Sequence, residues 1–197
     1  MLTVYLFGKP EAHIEANSPI TFKTLRMKAI VSYLVAISRP ITHTEIATLF
    51  WSKLTEDEAL AEWQKHAATL QSLLGKYLVL TPDQVAFNRQ EQHWVDLYAF
   101  EELLADQEMA AEQKLEKLRA LYRGDLMQDS ERTNGPKVKA WLYTQRQTIQ
   151  TRVQETLQAI SGDCVQHNNF SLGQKATHWW LMLNPTSELT HRQRMLL

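Results

Sequence analysis

Four polar side chains at helical spacing are candidates for binding another molecule through hydrogen bonds or charge. They are Gln64, Lys65, Thr69 and Gln71. They alternate with apolar residues that recur every three or four positions, which predicts a helix with one buried face and these polar side chains outward. The apolar face consists of Ala59, Trp63, Ala67, Leu70 and Leu74, and the outward positions also include Ala68 and Ser72. A carboxamide both donates and accepts hydrogen bonds and can pair with an adenine edge, while an ammonium group pairs with an anion. The pattern therefore predicts a surface that binds and does not catalyse.

The chain lacks the residue patterns on which catalysis or metal binding usually rests. It has no glycine-rich phosphate loop, no Gly-x-Ser-x-Gly turn and no paired acidic motif, so we expect no enzyme activity and no catalytic residue. Its seven histidines form no i,i+4 pair and its one cysteine, Cys164, is expected to be buried, so we expect neither a metal nor a cofactor. No uncharged apolar run approaches the roughly 18 residues of a membrane span, and no signal-peptide pattern opens the chain. We expect a cytoplasmic protein with no membrane contact.

The overall charge does not indicate a polyanionic partner. In 197 residues, 21 Lys and Arg stand against 22 Asp and Glu, a formal net charge of -1. A nucleic-acid contact would therefore depend on a local arrangement of charges. Four acidic residues (Glu56, Asp57, Glu58 and Glu62) open the segment that carries the polar side chains. Acidic groups suit the positive end of a helix, but they repel phosphates if they face DNA.

The first half of the chain predicts a small mixed α/β domain, residues 1–94. Short β-rich segments up to residue 22 predict an antiparallel sheet, and the apolar spacing from Leu25 to Ile37 predicts a helix. Thr42 with Glu45, and Thr55 with Glu58, are capping-box patterns that open two more helices. Residues 77–87 then predict a β-hairpin. A sheet, three helices and a hairpin are the order of a winged helix-turn-helix, although a small α/β scaffold without nucleic acid would give the same pattern.

The second half, residues 95–197, predicts only helices. Antiparallel helix pairs at about 34 residues per unit are what a tetratricopeptide-like solenoid needs. Trp179 and Trp180 cannot both face one side of a helix, so one is expected in the core and the other toward a partner. The last helix ends in apolar residues, namely Leu189, Met195, Leu196 and Leu197. We expect Met195, Leu196 and one tryptophan to form an exposed patch that a second copy or further repeats of a longer chain would cover.

The chain resembles SARP-type bacterial transcriptional activators, in which an OmpR/PhoB-type winged helix-turn-helix precedes a bacterial transcriptional activator domain. The resemblance rests on motifs spread from Leu2 to Leu197. They are Leu6-Phe7-Gly8, Arg26-Met-Lys28-Ala29 with Tyr33-Leu34, Phe50-Trp51, Leu70-x-x-Leu73-Leu74-Gly75, Val95-Asp96-x-x-Ala99-Phe100-Glu101, Leu121-Tyr122-Arg123-Gly124-Asp125-Leu126, Trp141, Arg146 and Leu183-Asn-Pro185 with Glu188, His191 and Arg192. The resemblance implies an α+β DNA-binding domain followed by an all-α tetratricopeptide-like domain.

The same resemblance implies a DNA-binding activator with double-stranded DNA and RNA polymerase as partners. Lys28, Thr42, His43, Thr44 and Arg89 are then expected to contact phosphates. Bases are expected to be read by Gln64, Lys65, Thr69 and Gln71.

One departure from the family pattern supports a different hypothesis. Gln64 and Gln71 stand where the family usually has arginine. Glutamine can hydrogen-bond a base but releases no counterion, so the electrostatic part of DNA affinity should be small. The alternative is a protein-interaction module whose winged helix no longer binds DNA.

Overall fold

The computed structural model describes residues 1–15, 18–130, 135–185 and 188–196, without the side chains of Leu189 and Gln193. By its internal contacts the chain divides into two compact units. Unit 1 consists of Met1–Ala99 and Tyr122–Thr144, and unit 2 consists of Phe100–Leu121 and Gln145–Leu197. Residues 122–144 thus lie in the same unit as the N-terminal part, and the domain boundary between residues 94 and 95 stays a prediction.

Among the described residues, the helices and strands are mixed up to residue 95 and only helices follow, as the sequence predicts. The strands are β1 (Leu2–Tyr5), β2 (Glu11–Ile14), β3 (Ser18–Pro19), β4 (Ile41–Thr42), β5 (Leu78–Leu80), β6 (Gln84–Phe87) and β7 (His93–Val95). The helices are α1 (Leu25–Ile37), α2 (His43–Phe50), α3 (Glu56–Leu74), α4 (Asp96–Ala105), α5 (Ala111–Leu121), α6 (Pro136–Gln166), α7 (Phe170–Leu183) and α8 (Glu188–Met195).

The N-terminal sheet differs from the expected antiparallel one. Its strand order is β3-β2-β1-β7, and β7 pairs in parallel with β1. The third strand lies at Ser18–Pro19 and not at residues 20–22, where β-branched and aromatic residues predicted it. The parallel partner comes from about 90 residues further along the chain, which local periodicity does not reveal.

Helices α1 to α3 begin and end where caps and apolar spacing predict. The Thr24 hydroxyl accepts a hydrogen bond from the Met27 N–H at the start of α1. The Thr55 and Glu58 side chains form a complete capping box at the start of α3. A second sheet, of order β4-β6-β5, is formed by the hairpin that follows α3 and by β4, which precedes α2. One expectation for α1 is wrong, because Leu25 is 65% exposed although its spacing placed it in the apolar face.

A buried carboxylate joins β1 to the start of α4. Asp96 is 1% exposed, and its two oxygens accept backbone N–H groups of Leu6 at 2.7 Å and Phe7 at 3.0 Å. The Arg123 guanidinium lies 3.7 Å from the same carboxylate. Burial raises the pKa of the Asp96 carboxyl, and these hydrogen bonds and Arg123 offset the rise only in part.

The Leu6-Phe7-Gly8 and Arg123-Gly124-Asp125 motifs meet in space. The Gly8 N–H donates to the Asp125 carbonyl at 3.0 Å, and the Arg123 guanidinium stacks over the Tyr5 ring at 4.2 Å. A Cβ on Gly124, whose φ is 150°, would lie 3.4 Å from the Gly8 Cα. Gly8 also has a positive φ, 77°, and it is this backbone conformation that favours glycine at both positions.

Unit 2 has its own apolar core from helices α4 to α7. Phe100, Leu118, Val153 and Leu157 are completely or almost completely buried, and so is Cys164, as expected. The Arg152 guanidinium ion-pairs with Glu101 at 2.6 Å and lies over the Phe100 ring. Among the residues described, no helix is both long enough and apolar enough to cross a bilayer.

Candidate nucleic-acid interface

The helix α3 presents a stripe of exposed side chains opposite its buried face. The five apolar residues predicted to face the core are all buried. The stripe, which we call the α3 stripe, consists of Asp57, Ala61, Gln64, Lys65, Ala68 and Ser72, and all of these are exposed. Most of its members are small or polar, so this side of α3 allows another molecule to approach the helix backbone closely.

Two predicted base-reading residues, Gln64 and Lys65, lie on the α3 stripe. Gln64 is exposed and makes no side-chain hydrogen bond to any residue that the structure describes. The Lys65 ammonium pairs with Glu62 at 2.6 Å, and this hydrogen bond and charge lower the pKa of the Glu62 carboxyl. Water screens an exposed pair of this kind, so the ion pair leaves Lys65 able to turn to another anion.

The other two predicted base-reading residues are less available. The Thr69 hydroxyl is half-buried and donates to the Lys65 carbonyl at 3.3 Å. The Gln71 amide nitrogen donates to the Gly75 carbonyl at 3.3 Å, and its Oε1 is buried without a partner among the described residues. Gln71 is thus only partly exposed, because its side chain is held along the end of α3 by the bond to Gly75.

Three residues at the start of α2 were predicted to contact phosphates. Two of them form hydrogen bonds within the protein instead. The Thr42 hydroxyl caps the helix by accepting the Glu45 N–H at 3.1 Å. His43 Nδ1 accepts the Trp63 indole N–H and its Nε2 lies at hydrogen-bond distance from the Thr81 carbonyl, both at 2.8 Å. His43 therefore connects α2 with α3 and the β5–β6 hairpin. The exposed Thr44 hydroxyl has no partner among the residues described.

The β5–β6 hairpin carries little positive charge. Its turn is closed by the Thr81 hydroxyl, which donates to the Gln84 carbonyl at 3.2 Å, and its tip carries Asp83. Arg89, a predicted phosphate contact, lies beyond β6, where it donates to the Ser38 hydroxyl at 3.0 Å and stacks over Tyr98. Arg89 is thus held against the end of α1.

Sequence reasoning missed a second positively charged side chain beside α3, that of Lys23. A trough of about 410 Å³ runs between α3 and the segment before α1. Its lining includes Thr21, Lys23 and Met27 on one side and Ala68, Thr69 and Ser72 on the other. Lys23 is exposed and has no ion-pair partner in the described ranges. The signal could not be read from the sequence, because Lys23 precedes α1 and lies 45 residues from Ala68.

Comparison with known proteins adds one finding. No protein-family model and no curated protein sequence matches the chain. A solved structure of EmbR from Mycobacterium tuberculosis, in complex with a low-affinity phosphopeptide, is similar with a TM-score of 0.70 at 17% sequence identity. The match covers 98% of this chain and 53% of that one, so this chain spans about half the length of EmbR. Both units therefore have counterparts in EmbR, and at this identity the likeness shows the fold alone.

Lys28, predicted to contact a phosphate, is not part of the α3 trough. It lies on α1 next to Met27 but lines a separate cleft together with Lys9 and Ser130. No residue of α3 lines that cleft.

The predicted partner-binding residues of unit 2 divide into buried and exposed ones. Trp180 is 2% exposed, and its indole N–H has no partner among the described residues, whereas Trp179 is half-buried. The expectation that one of the two belongs to the core is confirmed. Met195 is 85% and Leu196 62% exposed. The Leu189 side chain and Leu197 lie outside the described residues.

Proposed function

We propose that this protein is a transcriptional regulator that binds double-stranded DNA through unit 1 and contacts protein partners, RNA polymerase among them, through its helical half. Helices α2 and α3 would form the helix-turn-helix, the β5–β6 hairpin the wing, and the helices from residue 95 a tetratricopeptide-like domain. The α3 stripe carries the proposal, because its small side chains and the free Gln64 suit a helix that enters a major groove. The protein would act by binding and not by catalysis.

The roles of the side chains follow from where each one lies. Gln64 would read a base edge with its carboxamide, and Lys65 would leave Glu62 for a phosphate. Lys23 would contact a phosphate from the other side of the trough, and the Thr44 hydroxyl would contact another at the start of α2. The resemblance to SARP-type activators and the fold shared with EmbR support this assignment.

A second candidate function is supported by the acidic groups around α3. Glu56, Asp57 and Glu58 are exposed at the start of the helix, and Asp83 is exposed at the hairpin tip. Each would repel a phosphate that came near. In this alternative, unit 1 is a protein-interaction module that keeps the architecture without binding DNA.

Salt dependence distinguishes the two candidates. A duplex selected from a random library is titrated with the full chain at several salt concentrations. Two lysine–phosphate contacts give a slope of about -2 in a plot of log affinity against log salt, since each contact contributes about 0.9. Lys23→Gln and Lys65→Gln should each reduce that slope by about one, and Lys139→Gln, on exposed α6 surface, should not. A slope of zero, or a library that yields no preferred duplex, would favour the protein-interaction module.

A further inference from the structure

Unit 1 contains a cleft that the proposed DNA contact does not use. Three chain segments line it: the loop after β1, the first turn of α1 and the segment after α5. It has a volume of about 310 Å³, which is within the range of about 300–1,000 Å³ for small-molecule sites. Residues from the three segments include Lys9, Pro10, Leu25, Lys28, Gln128 and Ser130.

The described lining of the cleft carries a net positive charge, because it contains Lys9 and Lys28 and one carboxylate, Asp129. Lys28 lines it and has no ion-pair partner among the residues that the structure describes. The Lys9 ammonium lies 3.5 Å from the Asp129 carboxylate, and both side chains are largely exposed, so this pair is weak. The first turn of α1, which lines the cleft, contains no acidic residue that would compensate the lysines. An anionic group is therefore the complementary ligand group.

An apolar wall lies beside these lysines. Leu25 is 65% exposed on the first turn of α1, and Pro10 and Ala29 line the cleft with it. A leucine in this position leaves apolar surface in water, and an apolar ligand group that covered it would remove that surface from solvent. The complementary ligand thus has an apolar part next to its anionic group.

The segment after α5, which forms the third side of the cleft, is held in a defined backbone conformation. The Gln128 N–H donates to the Gly8 carbonyl at 2.8 Å, and the Ser130 hydroxyl donates to the Met127 carbonyl at 2.6 Å. Met127 and Asp129 both adopt positive φ, 51° and 64°, a conformation that non-glycine residues keep only where their surroundings hold them. The backbone of this segment is therefore held in place before any ligand arrives.

We propose that this cleft binds a small organic anion that carries an apolar group. The anionic group pairs with the Lys28 ammonium, with Lys9 close by, and the apolar group covers Leu25. The exposed Gln128 carboxamide, on the third side of the cleft, donates a hydrogen bond that orients the anionic group. This site is independent of the α3 stripe, so its occupancy does not require that the protein bind DNA.

Three matched probes test the proposal by NMR titration of the ¹⁵N-labelled full chain. Octanoate has both the charge and the apolar part, octanamide has the apolar part without the charge, and acetate has the charge alone. Octanoate should shift the backbone amides of Lys9, Ala29 and Ser130 in a saturable way. Octanamide and acetate should bind at least about tenfold more weakly, since each lacks one of the two interactions.

Variants of Lys28 and of Leu25 complete the test. Lys28→Gln should weaken octanoate about tenfold and leave octanamide unchanged, and Leu25→Gln should weaken octanoate and leave acetate unchanged. Both side chains are at least partly exposed, so both variants should fold, and Lys139→Gln serves as the control for loss of a lysine elsewhere. The proposal is overturned if octanoate produces no saturable shifts at the cleft, if octanamide binds as tightly as octanoate, or if Lys28→Gln binds octanoate like the wild type.

Discussion

At the residue scale, two glutamines of α3 that look equivalent in the sequence have different surroundings. Gln64 is exposed on the α3 stripe, and Gln71 donates to Gly75 at the end of the helix. We expect Gln64→Ala to change the preference between DNA sequences by about 1–3 kcal/mol, which is the value of a bidentate base contact. Gln71→Ala is the matched control and should leave that preference unchanged. Competition binding with single-base variants of a selected duplex measures both, and an equal effect of the two substitutions would contradict the assignment.

Asp96 gives unit 1 a pH dependence at the same scale. Burial raises the pKa of its carboxyl above the ordinary value of 3.8, so the folded state holds the proton more tightly than the unfolded chain does. This contribution to the free energy of unfolding is complete below the unfolded pKa and is lost as the pH rises through the folded pKa. In Asp96→Asn the contribution is absent.

Urea unfolding of wild type and Asp96→Asn between pH 3 and pH 7 measures this effect. The difference in unfolding free energy, wild type minus variant, should decrease as the pH rises from 3 toward 7. An increase over the same range would mean that the N–H groups of Leu6 and Phe7, together with Arg123, outweigh burial.

At the scale of elements, Gly135, directly before α6, lies against the end of α2. Gly135 is buried, and a Cβ there would clash with the Leu49 carbonyl oxygen and lie 3.1 Å from the Ser52 hydroxyl. Because the Leu49 contact is with backbone, the two elements would have to separate, and we expect Gly135→Ala to destabilise the protein by about 1–3 kcal/mol.

Gly162, inside α6, is the matched control for this prediction. A Cβ there would meet nothing within 4 Å in the part of the chain that the structure describes. Gly162→Ala should raise stability by about 0.5–1 kcal/mol, because alanine restricts the unfolded chain more than glycine does. Thermal unfolding compares the two variants, and a Gly135→Ala protein as stable as the wild type would show that residue 135 and α2 can move apart without cost.

At the scale of the whole molecule, the exposed apolar residues at the end of α8 and directly after it predict self-association. Met195 and Leu196 are more than half exposed at the end of unit 2. Covering them with a second copy would remove apolar surface from water, so we expect dimerisation that increases with concentration. Sedimentation velocity should show it, and Met195→Glu with Leu196→Glu should abolish it. A chain that stays monomeric at all concentrations would argue against a homodimer through this surface.

The helices could be predicted because their signals are local. The hydroxyls of Thr24, Thr42 and Thr55 satisfy N–H groups three residues on, and apolar spacing selects the buried face, so neighbours in the sequence determine where α1, α2 and α3 begin and which side of α3 is buried. These local rules also placed Gln64 and Lys65 correctly on the exposed stripe.

The remaining features depended on residues far apart in the chain. Pairing of β7 with β1, the Asp96 contact with Leu6, and the trough that brings Lys23 to Ala68 all follow from packing between distant segments. The side chains of His43 and Arg89 are engaged by partners 20 to 51 residues away, and no periodicity announces such contacts. The sequence by itself thus determined the elements and their buried faces. Tertiary structure alone decided which polar side chains stay free to bind, because each hydrogen bond made inside the fold removes a donor or acceptor from the surface.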